Sequence, residues 1–236
     1  MTGRTLLLIR HGESSANVAA TAAEAGGAET IDVEARDADV PLSPLGEQQA
    51  AALRARLQDA LPGDALIFSS PYRRALQTAR LALGEKRPPV VDERVRDREL
   101  GILDALTSIG VERRLPQEAA RRRWVGKFYY RPPGGESWAD VALRLRSFLR
   151  DVPAGDQPVA VFAHDAVVSL FLYVLLRFTE DELATFLLTR PVTNASVTAL
   201  VHDGGGWRVE AFADDTHLSA AGVPATEHPG DARAGA

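Results

Sequence analysis

The 236-residue sequence has no cysteine, a single methionine and no long apolar run. Without cysteine the chain forms no disulfides, performs no thiolate catalysis and holds no cysteine-ligated zinc. Its longest apolar stretch, residues 167–176, is interrupted by Ser169 and closed by Arg177, so it is too short to cross a membrane. The N-terminus lacks the charged-then-apolar pattern of a signal peptide. We therefore expect a cytoplasmic protein that does not bind membranes.

The sequence has fewer basic than acidic residues, which gives a formal net charge of −5. This charge argues against nucleic-acid binding. Lysine occurs only at positions 86 and 127, so nearly all cations are arginines, which suit bidentate contact with phosphate or carboxylate. Five of the arginines are crowded into residues 113–123. For this cluster we favour a solvated surface over substrate binding.

The most informative stretch is TLLLIRHGESS, residues 5–15. Thr5–Ile9 is a short apolar run without alternation, typical of a strand buried on both faces. It leads directly into Arg10, His11 and Gly12. An imidazole beside a guanidinium at a strand end can be a nucleophile facing an anion, and glycine lets the backbone approach a ligand closely. The alternative from this stretch alone is an ordinary strand end with solvated side chains.

Further buried strands alternate with helices along the chain. Helix N-caps follow two of them, and a Gly-rich turn joins the last two strands. The additional predicted strands cover residues 65–68, 89–95, 158–163, 196–202 and 207–213. This order predicts a three-layer α/β sandwich with a mainly parallel sheet and a C-terminal antiparallel hairpin.

We expect one domain over residues 1–218, with residues 102–136 as a lid or substrate loop. That segment is the least regular part of the chain, and long excursions of this kind are usually functional. Residues 219–236 are small, charged, or proline and glycine, a composition typical of a disordered tail.

Three strand-to-helix corners carry Arg10 with His11, Arg73, and His164. Ligands of open α/β sheets bind beyond the carboxyl ends of the strands, so these corners can converge on one pocket. Two guanidiniums and two imidazoles suit a tetrahedral dianion and would stabilise phosphoryl transfer. One histidine would attack phosphorus while a carboxylic acid protonates the leaving oxygen.

The motifs LIRHGES, LSPLGEQQA, SSPYRRALQTA and PPGGES, with a late strand followed by His, resemble the histidine phosphatase superfamily, which includes phosphoglycerate mutases. The resemblance covers roughly residues 5–218. It implies a transiently phosphorylated His11, a phosphate pocket completed by Arg10, Arg73 and His164, and substrate contacts from Ser14 and Asn17.

The resemblance offers three candidates for the proton donor. The family's donor usually lies four residues before a glycine, and counting back from Gly101 gives Asp97, with Glu99 as the next candidate. In one branch of the family a His-Asp pair carries the donor, which makes Asp165 a third candidate. For Asp165 we favour capping of the following helix, with a substrate contact as its other expected role.

The resemblance predicts a phosphatase that hydrolyses small phosphomonoesters, without a metal or cofactor. The alternatives are a mutase, and a weakly catalytic protein that binds phosphorylated ligands. The remaining histidines, His202, His217 and His228, have no metal-ligand spacing, and we expect them to be structural or solvated.

Overall fold

The structure is a computed structural model that describes residues 3–228. Its centre is one six-stranded sheet in the order β3-β2-β4-β1-β5-β6. The first four strands of this order run parallel, and β5 and β6 are antiparallel additions at one edge. The strands are β1 Arg4–Arg10, β2 Leu66–Ser69, β3 Val90–Val91, β4 Val159–Ala163, β5 Val197–His202 and β6 Trp207–Asp214.

Helices cover both faces of this sheet, so two apolar clusters form, one on each side. Their bounds are α1 Ser15–Ala25, α2 Pro44–Ala60, α3 Arg73–Leu83, α4 Ser108–Arg114, α5 Pro116–Val125, α6 Trp138–Asp151, α7 Asp165–Leu176, α8 Glu180–Thr189 and α9 Thr216–Ala220. Helices α6 and α7 pack on one face, and α2 and α3 pack on the other. The predicted three-layer α/β class is confirmed.

The central strands are apolar without alternation because both of their faces are covered. In β1, Leu6 and Leu8 belong to one apolar cluster, and Leu7 and Ile9 belong to the other. All five residues of β4 are buried. Each central strand therefore ends at a fixed position between two packed layers, which is what a precise site at the strand ends needs.

Local capping signals explain where several helices begin. Ser43 caps α2 by accepting a hydrogen bond from the Gly46 backbone, and Pro44 occupies the first helical position. Reciprocal capping boxes begin α6 and α8, as their sequences predict. The third strand is shorter than expected: only two residues pair, and a 3-10 turn at Glu93–Val95 follows them.

Residues 102–136 are more regular than the sequence indicates, because they contain α4 and α5. The arginine cluster lies on these helices and faces the surface. Arg113 and Arg114 pair with Glu29, and Arg123 pairs with Glu112. These exposed ion pairs agree with the preferred interpretation of the cluster as a solvated surface.

The structure differs from the expected disordered tail over residues 219–228. Helix α9 extends to Ala220, and the segment after it is held by long-range hydrogen bonds. The Asn194 backbone donates to the Thr226 carbonyl at 3.0 Å, and Gln49 donates to the Pro224 carbonyl at the same distance. Composition could not predict these contacts because both partners lie far away in the sequence. Residues 229–236 of the predicted tail lie outside the described residues.

Within residues 3–228, no helix combines the length and apolarity that crossing a membrane requires.

Candidate active site

A cavity of about 290 Å³ opens at the carboxyl ends of β1 and β4. The turn after β1 contributes His11 to its lining, the start of α7 after β4 contributes Asp165, and the first turn of α3 after β2 contributes Arg74. The predicted convergence of three strand-to-helix corners is therefore found, with one change in the arginine that takes part.

His11 is fixed by its backbone and by its ring. Its N–H donates to the Ala163 carbonyl at 3.0 Å, and its carbonyl accepts from the Ala195 backbone at 3.1 Å. Ring Nδ1 lies 2.6 Å from the Gly12 carbonyl, which can only accept, so Nδ1 carries the proton. The opposite nitrogen, Nε2, then holds a free lone pair. Burial, together with Arg74, His164 and Arg10, lowers the pKa of His11 well below its ordinary value, so the ring is neutral at pH 7.

His164 follows β4 and lies beside His11, with 5.1 Å between the ring centroids. Its Nε2 is 2.9 Å from Ser70 Oγ, and its Nδ1 is 3.1 Å from Asp97 Oδ2 at an angle that a hydrogen bond does not favour. Burial lowers the pKa of His164 to about 4, although Asp97 acts in the opposite direction. Both histidines are therefore uncharged at neutral pH.

The expected role of Arg73 is wrong, because its side chain is exposed and it does not line the cavity. The next residue, Arg74, is buried at the site. Its guanidinium donates to Asp37 Oδ1 at 2.9 Å and to Asp97 Oδ2 at 2.8 Å. The motif itself contained the signal: in SSPYRRALQTA the arginine directly before alanine is Arg74, and the sequence prediction selected the arginine one position too early.

Arg10, the last residue of β1, is buried with its guanidinium between two backbone carbonyls. Nη1 donates to Val192, and Nη2 donates to His228 at 3.1 Å. Nε is buried and has no hydrogen-bond partner among the described residues. This orphaned donor can bind an incoming anion without breaking the contacts that orient the guanidinium.

The three candidate acids have different environments. Glu99 lies outside the cavity: its side chain is 48% exposed and accepts a hydrogen bond from the Tyr72 hydroxyl at 2.8 Å. Asp97 and Asp165 both line the cavity. Burial alone would raise the pKa of Asp97, but His164 and Arg74 hold it well below its ordinary value. Burial raises the pKa of Asp165 against the opposing charge of Arg10.

Asp165 does not cap its helix as expected. Helix α7 begins at Asp165, and His164 occupies the cap position without a side-chain hydrogen bond. Ser14 and Asn17, the expected substrate contacts, do line the cavity. They also form the reciprocal capping box that begins α1, so their side chains hold each other in place.

The sequence prediction missed several residues of the cavity wall. Five residues between positions 31 and 40 and all three of residues 104–106 line the cavity, and a hydrogen bond from the Ile31 backbone to the Ala105 carbonyl at 2.8 Å joins the two segments. His228 also lines the cavity, where its carbonyl accepts a hydrogen bond from Arg10, a structural contact within the structural or solvated role expected for it. None of these positions carries a local motif that would have identified it.

The arrangement can hold a phosphoryl group between two buried guanidiniums while a neutral imidazole faces it. Fold and site together therefore define an enzyme-like centre for phosphoryl transfer. The histidine phosphatase superfamily (branch 1) model matches residues 6–215, so the chain belongs to this family. The resemblance seen in the sequence motifs is confirmed.

Glucosyl-3-phosphoglycerate phosphatases are among the similar proteins. The enzyme of Mycolicibacterium vanbaalenii is 31% identical over 192 residues, which cover 77% of this chain and 78% of that one. The human 6-phosphofructo-2-kinase/fructose-2,6-bisphosphatase 1 is 30% identical over 78% of this chain, which spans only 35% of that relative. The native structure of a mycobacterial glucosyl-3-phosphoglycerate phosphatase is 30% identical, with a TM-score of 0.69 over 89% of this chain and 98% of that one.

Proposed function

We propose that this protein is a phosphatase that hydrolyses small phosphomonoesters through a phosphohistidine at His11. The observation that supports this most strongly is the state of His11. Its ring is buried and neutral, its Nδ1 proton is bound to the Gly12 carbonyl, and Nε2 is left as a nucleophile. Phosphatase relatives that match three quarters of the chain support the same reaction.

In the first step, His11 Nε2 attacks phosphorus and the bond from phosphorus to the ester oxygen breaks. Arg10 and Arg74 stabilise the charge on the transferring oxygens. An acid protonates the departing alkoxide. In the second step water attacks the phosphohistidine, the same carboxylate takes up the proton of the water, and His11 is regenerated with release of inorganic phosphate.

We assign the acid to Asp97, although its pKa is low in the free protein. Asp97 pairs with Arg74, so its negative charge neutralises part of the positive charge that would bind a phosphate. A bound dianion would bring negative charge next to Asp97 and compete for Arg74. Both effects raise the pKa of a carboxyl group. Substrate binding would thereby load Asp97 with the proton that the leaving group requires.

We further propose that residues 102–136 form part of the substrate site within one domain, because Asp104, Ala105 and Leu106 line the cavity. The predicted substrate contacts of Ser14 and Asn17 are supported by their place in its lining. The cytoplasmic location stays a prediction.

The test is a screen of phosphomonoesters for release of inorganic phosphate, with isomerisation of 3-phosphoglycerate measured in parallel. We expect phosphate release from several substrates and His11→Ala to abolish it. Isomerisation faster than hydrolysis would instead support the mutase alternative. Binding of phosphomonoesters without turnover would support the weakly catalytic alternative.

A further inference from the structure

We propose that the leaving group of the substrate carries no second anionic group and is instead an uncharged or amine-bearing alcohol with an apolar face. This inference rests on the proposed phosphatase function. It concerns the part of the cavity that would hold the leaving group, where acidic and apolar side chains line the wall.

The charges of the cavity wall give the first argument. Among the described lining residues, carboxylates outnumber guanidiniums by one; the acids are Asp37, Asp97, Asp104 and Asp165, and the cations are Arg10, Arg74 and Arg98. No lysine lines this cavity within the described residues, and both catalytic-site histidines are neutral. Lys127 does not line the cavity, but its Nζ lies 5.0 Å from the centroid of the Trp138 ring. Counting it only makes acids and cations equal in number, so the cavity carries no surplus of positive charge with which to neutralise a second anion.

Each lining cation is already committed. The proposed phosphoryl site uses Arg10 and Arg74, and Arg74 also neutralises two aspartates. The remaining cation, Arg98, is buried, and its Nε donates to the Glu136 carbonyl at 2.7 Å. Its Nε would have to give up this contact before it could bind a second anion. A carboxylate or second phosphate on the substrate would consequently be desolvated without a matched partner.

The cavity wall formed by residues 31–40 and 104–106 supplies groups of another kind. Ile31, Val33 and Leu106 contribute apolar surface, and Asp104 is an exposed acceptor on the same wall. Asp104 Oδ1 accepts a hydrogen bond from the Ala105 backbone N–H at 3.0 Å. This bond leaves the negative charge of the carboxylate in place at the cavity wall. Hydroxyl or amine donors above an apolar face match this wall, whereas an anion is repelled by it.

Trp138 offers a further polar contact to the leaving group. Its ring is 3% exposed and lines the cavity, and its Nε1 is buried without a hydrogen-bond partner among the described residues. An indole N–H can only donate, so a hydroxyl oxygen of the leaving group can satisfy it. A hydroxyl group both accepts and donates, so a hydroxylated alcohol offers an acceptor for Trp138 and a donor for Asp104, whereas a carboxylate offers Asp104 only repulsion.

The experiment uses two substrate pairs that differ by a carboxylate. Phosphoethanolamine is compared with O-phosphoserine, and glycerol 3-phosphate with 3-phosphoglycerate. We expect kcat/KM to be higher by about tenfold or more for the member without the carboxylate, which corresponds to ~1.4 kcal/mol of repulsion. Because salt screens such repulsion, the preference should narrow as NaCl is added.

Two variants test the electrostatic cause. Asp104→Asn keeps the acceptor for the Ala105 backbone and removes the charge, so it should narrow both preferences at least about threefold. Asp64→Asn removes the same charge from an exposed position at the opposite end of β2 and should leave both preferences unchanged. Equal or better hydrolysis of the carboxylate-bearing members, or no response to Asp104→Asn, would overturn the inference. Failure to hydrolyse any substrate, 4-nitrophenyl phosphate included, would instead contradict the proposed function.

Discussion

At the scale of single residues, the site is a set of charges that restrain one another before any ligand arrives. Arg74 is held by Asp37 and Asp97, and Arg10 is held by two backbone carbonyls. Because these side chains are already oriented, little rearrangement is needed when charge develops on a phosphoryl group. Preorganised donors of this kind are the largest contribution to many enzymatic rate enhancements.

The adjacent arginines offer a matched test of the pocket. Arg74→Lys keeps the positive charge but loses the planar fork that reaches two acceptors at once, so kcat/KM should fall by about 10²-fold or more. Arg73→Lys changes an exposed neighbour and should leave kcat/KM within about twofold. Steady-state kinetics decide this, with circular dichroism to verify folding. A larger loss in Arg73→Lys than in Arg74→Lys would contradict the structure.

The acid can be identified from leaving-group dependence. Asp97→Asn should slow the hydrolysis of an alkyl phosphate by about 10²-fold or more, since general acid catalysis contributes on that order. It should largely spare 4-nitrophenyl phosphate, whose leaving group needs no proton. Glu99 lies outside the cavity, so Glu99→Gln should change the rates of hydrolysis of both substrates by the same factor. If Asp165→Asn shows the selective loss and Asp97→Asn does not, Asp165 is the donor.

The residue scale also sets what the sequence could reveal about the site. Arg10, His11 and His164 stand in local motifs at strand ends, so their convergence could be predicted. Arg73 and Arg74 are consecutive residues of α3, and only the orientation of the helix decides which of them is buried at the site. The opposite environments of Asp97 and Asp165 depend on contacts between distant segments, which local patterns do not encode.

At the scale of elements, the His11 turn and the start of α2 are packed backbone against backbone. A Cβ at Gly12 would lie 2.4 Å from the Gly46 carbonyl oxygen, and a Cβ at Gly46 would lie 1.9 Å from that of Glu13. Only glycine permits this approach. The contact positions the residues directly after His11, so α2 supports the nucleophile although it contributes no side chain to the proposed chemistry.

Gly46→Ala should therefore destabilise the protein by about 2 kcal/mol, the usual range for overpacking, despite the better helix propensity of alanine. Because the displaced segment follows His11, kcat should also decrease. Gly63→Ala is the control, since a Cβ there meets no atom within 4 Å. Urea denaturation and steady-state kinetics measure both effects. Wild-type stability and activity in Gly46→Ala would show that the backbone contact is dispensable.

Element types were predictable where local signals agreed, and less so where tertiary contacts decide. The apolar runs of β1 and β4 predicted their buried strands correctly. Ser43 and Ser137 are local sequence signals of the same kind, since each caps the helix that follows it. Helices α4 and α5 were missed because their sequences are dominated by exposed charge. The 221–228 segment has the composition of a tail and is ordered by partners that lie on α2 and before β5.

At the scale of the whole molecule, the two buried neutral histidines of the site should lower the free energy of unfolding in acid. The folded protein keeps His11 and His164 uncharged well below pH 6.5, whereas the unfolded chain protonates both near that pH. The unfolded state therefore binds more protons as the pH falls from 6.5 toward 4. By linkage, the free energy of unfolding must decrease over this range.

We expect that decrease to approach ~1.4 kcal/mol per pH unit for each buried histidine. Urea denaturation between pH 7 and 5, above the range in which most carboxylates titrate, measures it. His164→Gln should flatten the curve by one histidine's contribution. A slope unchanged in this variant would mean that His164 is not held neutral in the folded state.

The central claim, nucleophilic catalysis by His11, is tested most directly by trapping the phosphoenzyme. Wild-type protein is mixed with radiolabelled 4-nitrophenyl phosphate, quenched in base within the first turnover, and digested for peptide mapping. The account predicts a base-stable, acid-labile adduct on the peptide that contains His11, and its loss in His11→Ala. An adduct that persists in His11→Ala, that maps to His164, or that never forms during hydrolysis would contradict it.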